Sequence, residues 1–323
     1  MNKDKIYFGI DISKSVFDVT DSLGNYSQFE NKVSGFKKFV KQLNSISHCV
    51  MEATGYYHYQ LAYYLLEKGI DVSVENPLSV KRFIQMKLSK VKTDKSDSKK
   101  ICEYAQHVEL KLWYGDSKDQ QECLQIIRLL DIYTKQSTML KNKIHGEEIL
   151  GVPSSSVLRS IKRMLKQLEK EKEAMEKRLF FLVKKEHQDL LTRLETIPGI
   201  GKKTALMLVV LTDGFERFTS GSELCSYSGL TPIIRQSGSS VRGRARISKI
   251  GNGKLRNLLF MCSFNACKYN KACKAIYDRI VAKGKSKKLA LIAVCNKLLK
   301  QAFAIAKSGL IYDETYRSTL KVN

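Results

Sequence analysis

Apolar and polar positions alternate through the first part of the chain. Ile6, Phe8 and Ile10 interleave with Tyr7, Gly9 and Asp11, and Val16, Phe17 and Val19 make a second apolar run. Ser22–Asn25 carries turn chemistry and Tyr26–Glu30 can pair beyond it, so the pattern predicts an antiparallel meander with Asp11 ending its first strand. Phe36, Phe39, Val40 and Leu43 then recur at helical spacing, predicting a helix over 34–43 with Ser34 as N-cap. His48–Glu52 is a short apolar strand ending in Glu52. A helix over 57–68 follows, closed by Gly69 as C-cap, and a strand over 70–74 is closed by Asn76-Pro77. This order predicts an α/β domain with a mixed sheet.

From Asp94 onward the pattern is helical. Apolar residues recur through 120–150. Val157, Ile161, Met164, Leu168, Met175, Leu179 and Leu182 then follow the heptad seam of a coiled coil. Gly151-Val-Pro153 separates these two helices, with Ser156 as cap of the second. The hairpin packs on its own chain, and the same seam suits pairing with another subunit. A mostly helical region begins near Leu190, with helices over 218–227, 252–270 and 289–306. Between them lies a long loop rich in Gly, Ser and Arg. A length of 323 residues corresponds to about two domains at ~150 residues each. The pattern divides more finely, into an α/β segment 1–115, a helical hairpin 116–187 and a mostly α segment 188–323.

Composition narrows the classes. Hydrophobic residues make up 43%, enough for a packed core. The longest strongly apolar run, Ala205–Leu211, falls far short of the ~20 residues a bilayer span needs, so no membrane role is expected. The first residues carry no secretion signal. The eight cysteines form no CxxC pair, which argues against a zinc site and for small core residues in a reducing cytoplasm. Lys and Arg number 56 against 32 Asp and Glu, a net charge of +24. From Thr231 to the end there are 20 Lys and Arg against 3 Asp and Glu. Charge this one-sided fits a polyanionic partner, nucleic acid first.

Four acids stand out. Asp11 and Glu52 each end a strand, and Asp94 and Asp97, three apart at a helix start, share one face. Asp94 could equally cap its helix. Brought together at one sheet edge, the four would repel unless a divalent cation sat among them, and hard oxygen donors suit Mg²⁺ or Mn²⁺. Such an ion would polarise a phosphodiester.

The loop GLTPIIRQSGSSVRGRARISKIGNGKLR, residues 229–256, holds Arg235, Arg242, Arg244, Arg246, Lys249, Lys254 and Arg256 among small residues. Arg forks and exposed amides grip phosphate oxygens. Ser237, Ser239 and Ser240 are equivalent by spacing as nucleophiles or as phosphate hydrogen-bonders. No His lies nearby, so activation would have to come from a metal. Ile197–Gly201, with Gly199, Gly201 and Lys202, resembles a helix–hairpin–helix turn whose amides reach a DNA phosphate.

Taken together, GIDISK around Asp11, MEATGYY around Glu52, VENP at 74–77, KTDKSD around Asp94 and Asp97, IPGIGKKTA at 197–205 and the serine loop resemble transposases of the IS110 insertion-sequence group, in the same order and along the whole chain. The resemblance implies an α/β RNase H-like (RuvC-like) N-terminal domain with a DEDD metal site at Asp11, Glu52, Asp94 and Asp97, a coiled-coil middle, and a mostly α C-terminal transposase domain. It singles out Ser237 as nucleophile. It further implies donor and target DNA as substrates, a structured noncoding bridge RNA as guide, dimers assembling to a tetramer, and work at the bacterial nucleoid in the cytoplasm. The competing reading is a RuvC-like structure-selective nuclease that uses only the carboxylates and forms no covalent serine intermediate.

Overall fold

The computed structural model describes residues 5–53, 55–87, 93–233, 236–237, 241–242 and 246–315, with the backbone alone at 236–237 and 241–242. The chain forms two compact units, Met1–Asp116 and Ser117–Asn323.

The first unit is a mixed sheet. Strands β1 (Ile6–Ile12), β2 (Val16–Asp21) and β3 (Tyr26–Glu30) form the expected meander. After helix α1 (Val33–Val40), strand β4 (Ser47–Glu52) adds parallel to β1. Helix α2 (His58–Glu67) leads to β5 (Asp71–Glu75), parallel to β4. The sheet order is β3-β2-β1-β4-β5. Side chains alternate between its faces. Phe8, Ile10, Phe17, Val19, Cys49 and Met51 bury one face with Phe36 and Phe39 of α1 and Leu61 and Leu65 of α2. Lys32, not Ser34, occupies the cap position of α1, without a side-chain capping bond. The Ser34 hydroxyl faces back to Glu30 at 3.4 Å.

The opposite face is covered by α3 (Pro77–Met86) and α4 (Asp94–His107), packed through Val50, Val80, Ile101, Tyr104 and Ala105. Helix α3 is not anticipated from periodicity. Its start is chemical: Asn76 accepts from the Leu78 N–H at 2.9 Å and Pro77 opens the first turn. Helix α4 is capped by Thr93, which forms a capping box with Ser96, so Asp94 lies inside the helix and is not its cap. The fit of α4 on the sheet depends on Gly9. A Cβ there would lie 2.1 Å from the backbone N of Cys102 and 2.3 Å from the carbonyl O of Ser98. The Thr20 and Ser98 hydroxyls, hydrogen-bonded at 2.8 Å, tie α4 to β2.

The second unit is helical. Helices α5 (Lys118–Ile149) and α6 (Ser155–Glu195) pair along their lengths. Arg178 grips Glu122 with two bonds of 2.7 and 2.9 Å, Lys185 meets Asp119 at 2.7 Å, and Lys141 reaches Glu169 at 3.4 Å. Helix α6 continues past 182 through a kink at His187 and starts from Ser154, not Ser156. Of its apolar seam, Leu179 and Leu182 are buried, while Val157 and Met164 are exposed.

Helices α7 (Lys202–Thr212) and α8 (Gly221–Tyr227) precede four two-residue strands, β6 (Pro232–Ile233), β7 (Gln236–Ser237), β8 (Val241–Arg242) and β9 (Arg246–Ile247). Helices α9 (Gly253–Tyr269), α10 (Lys271–Ala282) and α11 (Lys287–Ser308) complete the unit. Helix α10 is an addition to the expected set; Asn270 caps it through the Cys273 N–H at 3.1 Å. Among the described residues α11 alone is long and apolar enough to cross a membrane, by length and composition. Its Val294, Leu298, Leu299 and Ala302 face is buried in the core with α9 and α7. The eight cysteines are all free, and all but Cys267 are buried.

Because the obstruction at Gly9 is backbone on both sides, Gly9→Ala is expected to cost at least about 1–3 kcal/mol. Urea unfolding of the two proteins measures this directly.

Candidate active site

The face of the sheet beneath α4 gathers acids at one end. Asp11 lies near the end of β1, and its antiparallel cross-strand partner is Asp18 of β2. Glu52 ends β4 and pairs with Glu75 of β5. Register aligns Ile10 with Met51, so Asp11 and Glu52 occupy the next position on neighbouring strands. Helix α4 then delivers Asp94 and Asp97 in its first turn.

Electrostatic influence links Asp11 to three of its neighbours. Burial, then Asp97, Asp94 and Asp18, push the Asp11 carboxyl up from its usual range to about 6. Asp97 is countered by Lys100, whose Nζ lies 3.0 Å from its Oδ1. Glu52 joins the group through strand register. Among the described residues no three His, Cys, Asp or Glu side chains converge closely enough to hold a metal ion. What the fold assembles is a dense field of carboxylates on one sheet face.

Two members of that field, Asp18 and Glu75, escape the reading of the sequence. Asp18 is 2% exposed and accepts from the Tyr26 hydroxyl and from Gln28 Nε2, the latter at 3.0 Å. Its bond with Tyr26 is the main reason the Tyr26 phenol is pushed up to about 12. Glu75 accepts from the Tyr104 hydroxyl at 3.0 Å, and burial raises its carboxyl. The available signal was a carboxylate inside an apolar strand, VFDVT. Only the pairing across the hairpin shows that it faces Asp11.

In the second unit the serine loop is a β-arm. Pro232 pairs with Ile247 and Ile233 with Arg246; further out, Gln236 pairs with Arg242 and Ser237 with Val241. Among the described residues Ser237 is thus the outermost on its strand of the arm. Arg235, Ser239, Ser240 and Arg244 lie outside the described residues, as do the side chains of Ser237 and Arg242. The base of the arm is clamped. The Asn252 N–H donates to the Tyr227 carbonyl at 2.7 Å, Asn252 Nδ2 to the Tyr227 hydroxyl at 3.1 Å, and Lys249 N–H to Gly229 O at 3.2 Å. A Cβ on Gly251 would lie 2.1 Å from the Tyr227 carbonyl oxygen.

The expected phosphate contacts divide accordingly. Arg246 and Lys249 are exposed. Arg256 instead serves the clamp, donating to the Ser228 carbonyl at 2.9 Å, and Lys254 pairs with Asp131 at 3.4 Å. Gly199 is a packing residue: its φ is +104° and a Cβ would sit 2.8 Å from that of Ala266. Gly201 is open, with nothing within 4 Å of a Cβ. It starts α7 with no side-chain cap, which leaves amides at an exposed helix N-terminus beside Lys202.

Comparison with known proteins accounts for both units. A DEDD transposase model of the IS110 type matches residues 8–147. The model described as "Transposase IS116/IS110/IS902 family" matches residues 191–278. The chain belongs to the IS110 family of transposases. Among the relatives of this transposase is the pilin gene-inverting protein of Moraxella lacunata, 29% identical over 96% of the chain and 98% of that protein. Another is the transposase for insertion sequence element IS1111A of Coxiella burnetii, 25% identical over 98% of the chain and 92% of that protein. Both family models and these relatives make this a DNA-acting recombinase enzyme.

The carboxylate field fits a divalent cation by the chemistry of its donors. All are hard oxygens, and burial together with the neighbouring acids disfavours the charged form of Asp11, a cost that a bound cation would relieve. The raised carboxyl sets a linkage. A carboxyl held near 6 in the fold and near 3.8 when unfolded costs stability increasingly as pH rises from about 4 to above 6. Asp11→Asn is therefore expected to stabilise the protein in chelator at pH 8 by about 1–3 kcal/mol. The gain should vanish as pH falls toward 4, and thermal unfolding across that range checks it.

Proposed function

We propose that this transposase cleaves and rejoins DNA with the Ser237 hydroxyl as nucleophile, assisted by a divalent cation, Mg²⁺ or Mn²⁺, held by Asp11, Glu52, Asp94 and Asp97. The reading is supported by Asp11 and Glu52 at adjacent register positions on one sheet face, where burial first, then Asp97 and Asp94 at the start of α4, raise the Asp11 carboxyl. Divalent-metal use is general among DEDD transposases. The sheet order, three antiparallel strands followed by two parallel ones, supports an RNase H-like (RuvC-like) reading of the first unit. We read the chain as three functional segments, a DEDD domain 1–115, a coiled-coil hairpin 116–187 and a transposase domain 188–323.

A cation held by these carboxylates would neutralise charge on the attacked phosphate and on the leaving oxygen. The chain's own residues do the rest. The Ser237 oxygen bonds to phosphorus as the bond from phosphorus to a nucleoside oxygen breaks. The serine proton ends on that oxygen, leaving a free DNA hydroxyl. Attack by the hydroxyl of another strand reverses the step, restores the serine and conserves the number of phosphodiester bonds. The open N-terminus of α7 at Gly201 and Lys202, with Arg235, Arg242, Arg244, Arg246 and Lys249, holds the flanking phosphates. The Moraxella relatives are named for gene inversion, an outcome that requires each cut strand to be rejoined. Target choice is delegated to a bridge RNA, in keeping with the strongly basic composition of the chain.

The working form is an oligomer in which dimers pair to a tetramer. The outer half of the hairpin leaves Met139, Leu150, Val152, Val157 and Met164 exposed, a surface suited to a second copy of the chain. Val157→Asp combined with Met164→Asp should lower the mass measured by light scattering while leaving helix content unchanged.

Ser237→Ala should abolish both strand cleavage and the covalent protein–DNA adduct seen on denaturing gels. Asp11→Asn should abolish the same two signals while leaving DNA binding intact. Continued cutting by Ser237→Ala without an adduct would establish the nuclease reading, and an adduct mapped to Ser239 or Ser240 would move the nucleophile.

A further inference from the structure

The turn between α10 and α11 carries Lys283, Lys285, Lys287 and Lys288 within six residues. All four are exposed. Among the described residues no ion pair engages them, whereas Lys254 and Lys271 elsewhere in the unit pair with Asp131 and Glu314. Asp278 is the single acid between residues 254 and 312, so little in this stretch neutralises the turn. Four unpaired ammonium groups on a tight turn repel one another, and in isolation they gain nothing from being close.

The position of the turn follows from the run of the helices. Asn270, at the end of α9, donates to Gln301 of α11 at 3.0 Å, an offset of 31 residues. Two turns earlier, Ser263 of α9 meets Cys295 of α11, an offset of 32 residues. Nearly equal offsets, rising together along both helices, mean that α9 and α11 run parallel. The same offset carried back brings Ser286 and Lys287 level with Leu255 and Arg256, at the start of α9. Packed helices lie about 8–10 Å apart. The lysine turn is thus beside the base of the serine arm, where Lys249 is exposed and the chain passes from β9 into α9. Two helix N-termini, of α9 and α11, point their positive ends the same way at this end of the bundle.

We propose that Lys283, Lys285, Lys287 and Lys288 form a backbone-docking platform for the DNA duplex that flanks the strand held by the serine arm. Ammonium groups spaced along a turn contact successive phosphates without reading bases, so the platform supplies affinity and alignment in place of sequence choice. DNA is the partner favoured because the platform adjoins the arm of an enzyme whose family acts on DNA. The proposal stands apart from the serine chemistry, since a failure of Ser237→Ala to block cleavage would leave the binding measurements below unchanged.

The test uses the full chain with all four lysines changed to Gln, a fluorescent 40-base-pair DNA duplex, and anisotropy titrations over a range of KCl. An equal thermal midpoint confirms that the variant is folded, and a pairwise variant, Lys287→Gln with Lys288→Gln, serves if it is not. Each lost phosphate contact removes about 0.9 from the slope of log affinity against log salt. The expected result is a slope shallower by about 2–4 for the quadruple variant, with affinity at least about tenfold weaker at low salt. An unchanged slope overturns the proposal, as does a loss confined to a structured RNA probe with DNA binding intact.

Discussion

The burial of neighbouring carboxylates is the constraint around which the first unit is organised. A protein gathers acids on one face only if something else holds their backbones there. Here that work falls to the contact between β1 and α4. Gly9 lets the helix backbone lie against the strand, the Thr20–Ser98 hydrogen bond adds a polar tie, and Val50, Ile101 and Ala105 supply the apolar packing. The free energy of burial beneath α4 offsets the electrostatic cost at its first turn. A fold that buries an acid in this way gives up some stability at neutral pH.

The second unit solves a different problem, presenting the serine loop from a firm base. Its β-arm is built from short ladders with small residues between them, and short two-stranded ribbons have little stability of their own. The fixed part is the clamp below, where Tyr227, Asn252 and Arg256 close the loop ends through hydrogen bonds and Gly251 permits the backbones to touch. Two cations that look available for phosphate in the sequence are engaged within the unit, Arg256 by the clamp and Lys254 by Asp131. Arg246 and Lys249 stay exposed.

The family assignment and the physical reading support each other at different scales. The match to DEDD and IS110 transposase models establishes the class of enzyme. The structure gathers acids on one face of the sheet in the first unit, while much of the basic excess of the sequence falls in the helical second unit. Dividing these tasks between units keeps the strongest opposing charges from neutralising each other within one core.

Local periodicity by itself determined most of the elements. The meander, the parallel strands after it, the long paired helices and Asp11 and Glu52 at strand ends were all legible, because alternation and heptad spacing report directly which face is buried. Two helices were not. Helix α3 is announced by Asn76 and Pro77 and α10 by Asn270, cap signals weaker than an apolar stripe. Tertiary structure alone decided the company each charge keeps. Asp18 faces Asp11 only through antiparallel register, Gly199 is a packing residue only because Ala266 lies against it, and Arg256 is withdrawn from phosphate only by the Ser228 carbonyl. Spacing along a chain sets which way a side chain points, but an electrostatic partner is a matter of distance in space, and that is settled when separate elements pack.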